Sequence, residues 1–194
     1  MGRTKTLGLV LPDASNPFFA ELARAVENAA FVRGYAVMVC SSADDATREH
    51  TYIQSLADRR VDGLILISAS SSQDLSDLTG ISIPVVALDR TPDESPISTI
   101  RSNNEDGAYL GTSHLIPHGH RRIAFVGGPD AGVTDARRQG WRKALALAGL
   151  PSGPEQAVPF TYQGGNAAAL SIFGARPRRT RAQQLRWCRP TSRH

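Results

Sequence analysis

Short apolar runs alternate along this chain with longer segments in which apolar residues recur every three or four positions. The short runs favour buried strands, and the periodic segments favour helices. Strands are predicted at residues 6–12, 35–41, 63–68, 84–89, 98–102 and 122–128, with a weaker one at residues 157–163. Helices are predicted at residues 17–33, 45–60, 71–78, 104–116 and 134–148, and a last helix starts at residue 166.

The first predicted helix has sequence signals at both ends. Asn16 is a suitable N-cap, and Pro17 fits the first helical position, where its missing N–H would have no partner. Gly34 suits the position just after the helix. The inward face is predicted to consist of Phe18, Leu22, Val26, Ala29 and Ala30.

The alternating order of strands and helices predicts an α/β fold, a parallel sheet flanked by helices on both faces. Right-handed crossovers bring the carboxyl ends of the strands to one edge, where ligands bind in such folds. Trp141 is expected to pack between a helix and the sheet. The residues expected near the ligand edge are Asp13, Asn16, Phe18, Ser68, Asp89 and the loop at 127–130.

The charge of the chain is unevenly distributed. The 194 residues, 41% of them hydrophobic, suffice for a core, and the net charge is +4. Seven of the 22 basic residues lie in residues 175–194, which contain no acidic residue, so the other 174 residues hold 15 basic and 18 acidic side chains. We therefore expect residues 175–194 to be disordered and outside the fold, and the basic total indicates no nucleic-acid-binding face.

The sequence shows no sign of secretion or of a membrane segment. The longest apolar runs, such as residues 64–67, are too short to cross a bilayer, and the N-terminus lacks a small-residue cleavage site. Cys40 and Cys188 form neither a disulfide framework nor a zinc spacing. We expect a cytoplasmic protein that carries no metal and no cofactor.

Three kinds of active site are disfavoured. The glycine-rich loop at 127–132 lacks the G-x-G-x-x-G spacing of a dinucleotide site. His114 and His118 have a spacing that can hold zinc, but Pro117 disrupts the helix and no acidic ligand is near; with His120 they are more typical of a solvated helix end. The serines at 68–72 are not in a G-x-S-x-G motif, and we expect no enzyme.

A binding crevice is the remaining candidate. Asp13 and Asp89 each end a predicted strand, and their carboxylates can accept hydrogen bonds from ligand hydroxyls. Asn16 offers a donor and an acceptor, Phe18 offers a flat apolar face, and Arg137 can pair with hydroxyls or an anion. Two simpler interpretations stay open: Asn16 as a plain helix cap, and Phe18 as a core residue.

The order and spacing of several motifs resemble the lactose-repressor (LacI/GalR) family of transcription regulators, over roughly residues 4–174. The motifs are TKTLGLVLPDASNPFFAEL, RRVDGLILIS, PVVALDR, SNNEDGAYLGTSHLIPHGHRRIAFVGG and DARRQGWRKALALAGL. This resemblance implies a two-lobed sensor of the type I periplasmic-binding-protein kind, with a sugar or nucleoside effector held between the lobes. It also implies a homodimer that binds operator DNA through a helix-turn-helix domain, and effector contacts at Asp13, Asn16, Phe18, Asp89 and Arg137.

The resemblance also predicts the organisation of the chain. Residues 1–117 match the first lobe, with a crossing near His118, and residues 118–174 match part of the second lobe. The helix-turn-helix has no counterpart here, and residues 175–194 are typical of translation in another reading frame. We therefore expect an incomplete second lobe, marginal stability and weak or no sugar binding.

The sequence thus predicts the ligand-sensing domain of a DNA-binding transcription regulator, without its DNA-binding domain. The alternative is a sugar-binding protein of a transport system, which would have the same fold but an export signal. A nucleotide-dependent α/β enzyme is a third hypothesis, disfavoured by the missing glycine fingerprint.

Overall fold

The structure is a computed structural model that describes residues 3–68, 78, 80–89, 97–129 and 131–174. The predicted helix at 71–78, apart from Leu78, and the predicted disordered segment at 175–194 lie outside these residues. No helix within the described ranges is both long enough and apolar enough to cross a membrane.

Strands and helices alternate along the described chain, except for three successive strands between residues 63 and 100. The strands are β1 (Thr6–Leu11), β2 (Ala36–Ser41), β3 (Gly63–Leu66), β4 (Val85–Leu88), β5 (Ser98–Ile100), β6 (Phe125–Gly127) and β7 (Glu155–Ala157). The helices are α1 (Pro17–Phe31), α2 (Ala46–Asp58), α3 (Asn104–Leu115), α4 (Ala131–Leu147) and α5 (Tyr162–Phe173).

The strands form two parallel sheets. One has the order β2-β1-β3-β4-β5, and the other pairs β6 with β7. In the first sheet, Leu9 of β1 lies between Val39 of β2 and Ile65 of β3. Because its five strands all run the same way, their carboxyl ends share one edge. The predicted α/β fold with a parallel sheet is confirmed.

Residues of β1 alternate between two cores. Val10 packs with Leu56 of α2, whereas Leu9 and Leu11 pack with Phe19 of α1. Successive side chains of a strand point to opposite faces, so α1 and α2 cover opposite faces of the sheet. Each of these leucines is almost fully buried, which stabilises the fold by about 1.5–3 kcal/mol per side chain.

The helix α1 ends two residues earlier than predicted, and its inward face differs from the prediction at two positions. Gly34 follows it with φ of +74°, a backbone conformation that suits glycine. Phe19 is only 3% exposed, whereas Phe18 is 53% exposed. Ala30 is buried and Ala29 is exposed. The prediction that Phe18 and Ala29 face inward is wrong, because one residue rotates the helix surface by about 100° and their neighbours take the inner positions.

The strand β2 forms an edge of the first sheet. Its apolar run predicts burial on both faces, yet Met38 is 39% exposed and Val39 is 49% exposed. This difference arises because β2 pairs with β1 on one side, whereas no described strand pairs with its other side.

The last strand lies earlier than predicted. β7 ends at Ala157, so a strand at residues 157–163 is wrong. Pro159 lacks the N–H that a strand would donate. The hydroxyl of Thr161 accepts a hydrogen bond from the N–H of Gly164 at 3.1 Å and caps α5, which turns this segment into a helix.

Helix α3 packs on α4, which leads from the second sheet. At Gly140 of α4 the helices approach so closely that a Cβ would lie 2.0 Å from the carbonyl oxygen of Glu105. Lys143 Nζ also lies 3.1 Å from Glu105 Oε1, and this hydrogen bond and charge raise the pKa of Lys143. α3 precedes the predicted boundary at residue 117, yet it packs on α4, which follows β6 of the second sheet.

The segment before β1 is held by the carboxylate of Asp62. Oδ1 accepts hydrogen bonds from the N–H and the hydroxyl of Thr4, both at 2.9 Å, and Oδ2 accepts one from the N–H of Lys5 at 3.2 Å. Desolvation acts to raise the pKa of Asp62, but these three donors, together with the charge of Arg3, outweigh it and lower the pKa. The folded protein therefore favours the ionised carboxylate.

We expect Asp62→Asn to lower the melting temperature at neutral pH and to abolish part of its pH dependence. A lowered pKa contributes stability above the unfolded value, 3.8, and this contribution is lost as the pH falls through the lower folded value. The difference from the wild-type melting temperature should therefore shrink as the pH falls below the unfolded value of 3.8. The control is Asp58→Asn, at the exposed end of α2; an equal pH dependence in both variants would contradict the role of Asp62.

Candidate functional site

The turn after β1 contains the first predicted site residue. Asp13 Oδ1 accepts hydrogen bonds from the N–H of Ser15 at 2.8 Å and from its hydroxyl at 2.7 Å. These contacts form an Asx turn, in which a side-chain oxygen replaces a backbone acceptor. Asp13 therefore stabilises the turn locally, and an effector contact by its carboxylate stays a prediction.

Asn16 connects this turn to a distant part of the chain. Its Oδ1 accepts the N–H of Phe18 at 3.0 Å, which confirms it as the N-cap of α1. Its Nδ2 points to the carbonyl oxygen of Phe160 at 3.5 Å, at the long limit of a hydrogen bond. One amide thus both begins α1 and contacts the segment between β7 and α5.

Phe18 stands at the start of α1 with its ring partly in solvent. The ring meets the buried ring of Phe19 edge-on, with centroids 5.2 Å apart and planes at 69°. This T-shaped contact is favourable between aromatic rings. The core interpretation of Phe18 is wrong, and its exposed face fits an apolar wall.

The other two predicted residues are held by contacts within the protein. Asp89 follows β4 with φ of +62°, a conformation uncommon outside glycine but tolerated by Asp, and its N–H donates to the carbonyl of Ile100 at 2.9 Å. Arg137 Nε donates to Asn104 Oδ1 at 2.8 Å and so joins α4 to the start of α3. The role of both residues toward an effector stays a prediction.

An open cleft of about 440 Å³ lies where the turn after β1 faces the second sheet. It is bordered by the start of α1, the strand β6 and the segment from β7 into α5. Its lining residues are Asn16, Pro17, Val126, Gly127, Val158, Pro159, Phe160, Thr161, Tyr162 and Gly165. Of the five predicted site residues, this lining includes Asn16 and does not include Asp13, Phe18, Asp89 or Arg137.

The aromatic part of this lining is not among the site residues predicted from the sequence. Phe160, which lies just before α5, is 39% exposed, and Tyr162, the first residue of α5, is 87% exposed. A strand at residues 157–163 would place these two rings, two residues apart, on one face, but it gives no reason for that face to meet the turn after β1. Pro159 followed by the capping residue Thr161 was the signal for a helix start at this point.

A buried carboxylate lies beneath the carboxyl edge of the first sheet. Glu49 in the first turn of α2 has no solvent exposure, and Ser68 after β3 donates its hydroxyl to Glu49 Oε1 at 3.3 Å. A buried charge requires such partners, and a position near a helix N-terminus favours an anion. Ser68, predicted near the ligand edge, is thus buried and engaged with Glu49.

The cleft can hold an uncharged ring-shaped molecule. Its described lining contains no ionisable acid or base apart from the Tyr162 phenol. The amide of Asn16 can bond to hydroxyls, and the rings of Phe160 and Tyr162 can cover a flat apolar face. Within the described ranges, no three His, Cys, Asp or Glu residues form a group that could hold a metal ion.

Comparison with known proteins identifies similar sequences over most of the chain. Residues 4–163 match the family described as periplasmic binding proteins and the sugar-binding domain of the LacI family. The transcriptional repressor PurR of Aliivibrio fischeri is 34% identical over 168 residues, which are 85% of this chain and 50% of that protein. The ribose operon repressor of Halalkalibacterium halodurans is 42% identical over 141 residues, 72% of this chain and 41% of that protein. The chain spans about half the length of the curated relatives it matches.

A solved structure of similar fold is the Cra transcriptional dual regulator of Pseudomonas putida in complex with fructose 1-phosphate. It superposes with a TM-score of 0.77 at 30% identity, covering 90% of this chain and 67% of that one. The similarity therefore extends across both sheets described above.

Proposed function

The chain belongs to the family of periplasmic binding proteins and LacI-type sugar-binding domains, and from this premise we propose that it is the effector-sensing domain of a transcription regulator. The resemblance recognised in its sequence is thereby confirmed. Its relatives are repressors, which favours a regulator over the alternative of a sugar-binding protein for transport. We infer that the intact regulator works in the cytoplasm.

The observation that carries this proposal is the position of the cleft. Asn16 approaches it from the first sheet, and Phe160, Thr161 and Tyr162 approach it from the second. A molecule bound there contacts both units at once, so it binds more tightly when the units come closer together. Such differential binding is what shifts a population between an open and a closed form.

The chemistry of the lining indicates the class of effector. Exposed rings and an amide suit a small cyclic molecule with hydroxyl groups, such as a sugar or a nucleoside. We infer that the chain crosses between the lobes at residues 101–103, because α3 already packs on α4. Arg137, joined to Asn104 at this crossing, and Asp13, Phe18 and Asp89 are proposed to contact the effector when the lobes approach.

The proposed regulator acts as a homodimer and binds operator DNA through a separate domain. Closure of the two lobes around the effector would change the geometry of the dimer and so its affinity for DNA. This coupling is reciprocal, because operator binding then changes the affinity for the effector by the same factor.

We expect D-ribose or adenosine, added into the millimolar range, to shift amide resonances at the cleft. The shifts in a ¹H–¹⁵N titration should concentrate on Asn16, Thr161, Tyr162 and Gly165, because these line the cleft. Phe160→Ala should weaken the binding about five- to tenfold, since one stacked ring is lost.

The matched control for this titration is Phe173→Ala. Phe173 lies on α5 with 64% exposure, and it is not among the cleft residues. Equal weakening by both substitutions, or shifts spread evenly over the surface, would contradict the proposed site.

A further inference from the structure

We infer that Gly128 is a positioning residue for the Phe160 ring, and that its missing side chain determines where this ring stands in the cleft. The consequence for ligand binding rests on the proposed function, whereas the contact between Gly128 and the ring does not. The geometry itself concerns the loop after β6 and the segment before α5, which the structure places in contact.

The ring of Phe160 occupies the space that a side chain at residue 128 would fill. A Cβ built on Gly128 would lie 2.1 Å from Cε2 of the ring and 2.4 Å from Cζ. Carbon atoms in contact are normally about 3.5–4.0 Å apart. Alanine at this position and the present ring position therefore exclude each other.

Backbone conformation does not require the glycine. Among glycines of the described residues, Gly34, Gly119 and Gly149 have φ in the left-handed region, and Gly128 does not. An alanine is therefore compatible with the backbone at residue 128. What requires glycine there is the space taken by the ring.

The backbone on both sides of this contact is fixed. The N–H of Gly128 donates to the hydroxyl of Thr134 at 3.2 Å, in a buried position. The N–H of Val158 donates to the carbonyl of Gly127 at 2.9 Å, which ties the segment before Phe160 to the same loop. A new methyl group is therefore accommodated by rotation of the ring, because a side-chain rotation is easier than moving either segment.

Rotation of the ring changes the ligand site. Phe160 is 39% exposed and lines the cleft, so a displaced ring either narrows the cleft or turns away from it. Both outcomes remove the flat surface against which a cyclic ligand would stack. Gly128 thus favours ring-shaped ligands indirectly, through the position of the Phe160 ring.

The first experiment observes the ring directly and needs no ligand. The protein is labelled with 4-fluorophenylalanine at its six phenylalanines, and the Phe160 signal is the one lost in Phe160→Leu. Gly128→Ala should shift this ¹⁹F signal. Gly165→Ala is the control, because Gly165 lines the same cleft but has open space around its α-carbon; it should leave the signal in place.

The second experiment is a double-mutant cycle with D-ribose and adenosine as the probes. Gly128→Ala should weaken binding by about fivefold in the wild type and by less than about twofold in the Phe160→Leu background, because coupled residues are not additive. An unchanged ¹⁹F signal, or equal weakening in both backgrounds, overturns the inference. If neither probe binds the wild type, the proposed function fails, and the ¹⁹F shift still decides the role of Gly128.

Discussion

Trp141→Ala is expected to lower the free energy of unfolding by about 3–5 kcal/mol, the range for truncating a large buried aromatic residue. Trp141 is 2% exposed and packs with Ile123 and Leu145, and its ring lies 5.5 Å from the ring of Phe125 on β6. It joins α4 to the second sheet, as the sequence predicts. Urea unfolding followed by circular dichroism measures the loss.

Two further variants separate packing from hydrogen bonding at this position. Trp141 Nε1 donates to the carbonyl of Ile123 at 3.2 Å. Trp141→Phe keeps most of the apolar surface but leaves this buried oxygen without that donor, and we expect a loss of about 1–3 kcal/mol. Leu147→Ala on the same helix, where the side chain is 72% exposed, should cost less than about 0.5 kcal/mol. A loss at Trp141→Ala no larger than at Leu147→Ala would contradict the assigned core.

Gly140→Ala is expected to destabilise the protein by about 2–3 kcal/mol, at the upper end of the effect of overpacking. The added Cβ would lie 2.0 Å from the carbonyl oxygen of Glu105 and 2.9 Å from the backbone nitrogen of Tyr109. These are backbone atoms of α3, so no side-chain rotation relieves the clash and the helices must separate. Separation would also weaken the contact between Lys143 and Glu105.

The control for this prediction lies on the facing helix. Gly111 of α3 has no atom within 4 Å of the position of an added Cβ. Gly111→Ala should be neutral or stabilise by up to about 1 kcal/mol, because alanine favours helices over glycine. The two substitutions are chemically identical. Changes of opposite sign in the free energy of unfolding, measured in the same urea experiment, would therefore establish the close approach of α3 and α4. Equal signs would contradict it.

Local sequence signals predicted the elements of the first sheet well. The order Asn16–Pro17 gives the start of α1, and Gly34 places its end close to the observed Phe31, because each residue suits one terminal position. The alternation of strands with periodic helices then leaves few topologies other than a parallel sheet. Each of these signals depends only on residues that are neighbours in the chain, so the sequence alone shows where it lies.

The choice of inward face could not be predicted in the same way. Phe18 and Phe19 are adjacent, and each begins an acceptable apolar stripe along α1. Which stripe faces the sheet depends on how the helix lies across it. The exposure of β2 could not be predicted for a similar reason. An apolar run does not show whether a strand will have one neighbouring strand or two.

The candidate cleft was only partly predictable. Asn16 was found because it lies at a strand-to-helix turn near the carboxyl edge of the sheet, where ligands bind in α/β folds. Phe160 and Gly128 are 32 residues apart, and only the fold brings the ring onto the glycine. The packing of α3 on α4 likewise rests on contacts between distant residues, such as that of Gly140 with Glu105, which no hydrophobic period marks.

The open edge of β2 has a consequence for the protein in concentrated solution. Its six residues, AVMVCS, include no charge and no proline, the features by which edge strands usually resist pairing with another chain. Unpaired backbone groups along such a strand are a template for intermolecular hydrogen bonding, and the exposed Met38 and Val39 add apolar surface to it. This margin of the sheet therefore favours association between chains when the protein is concentrated.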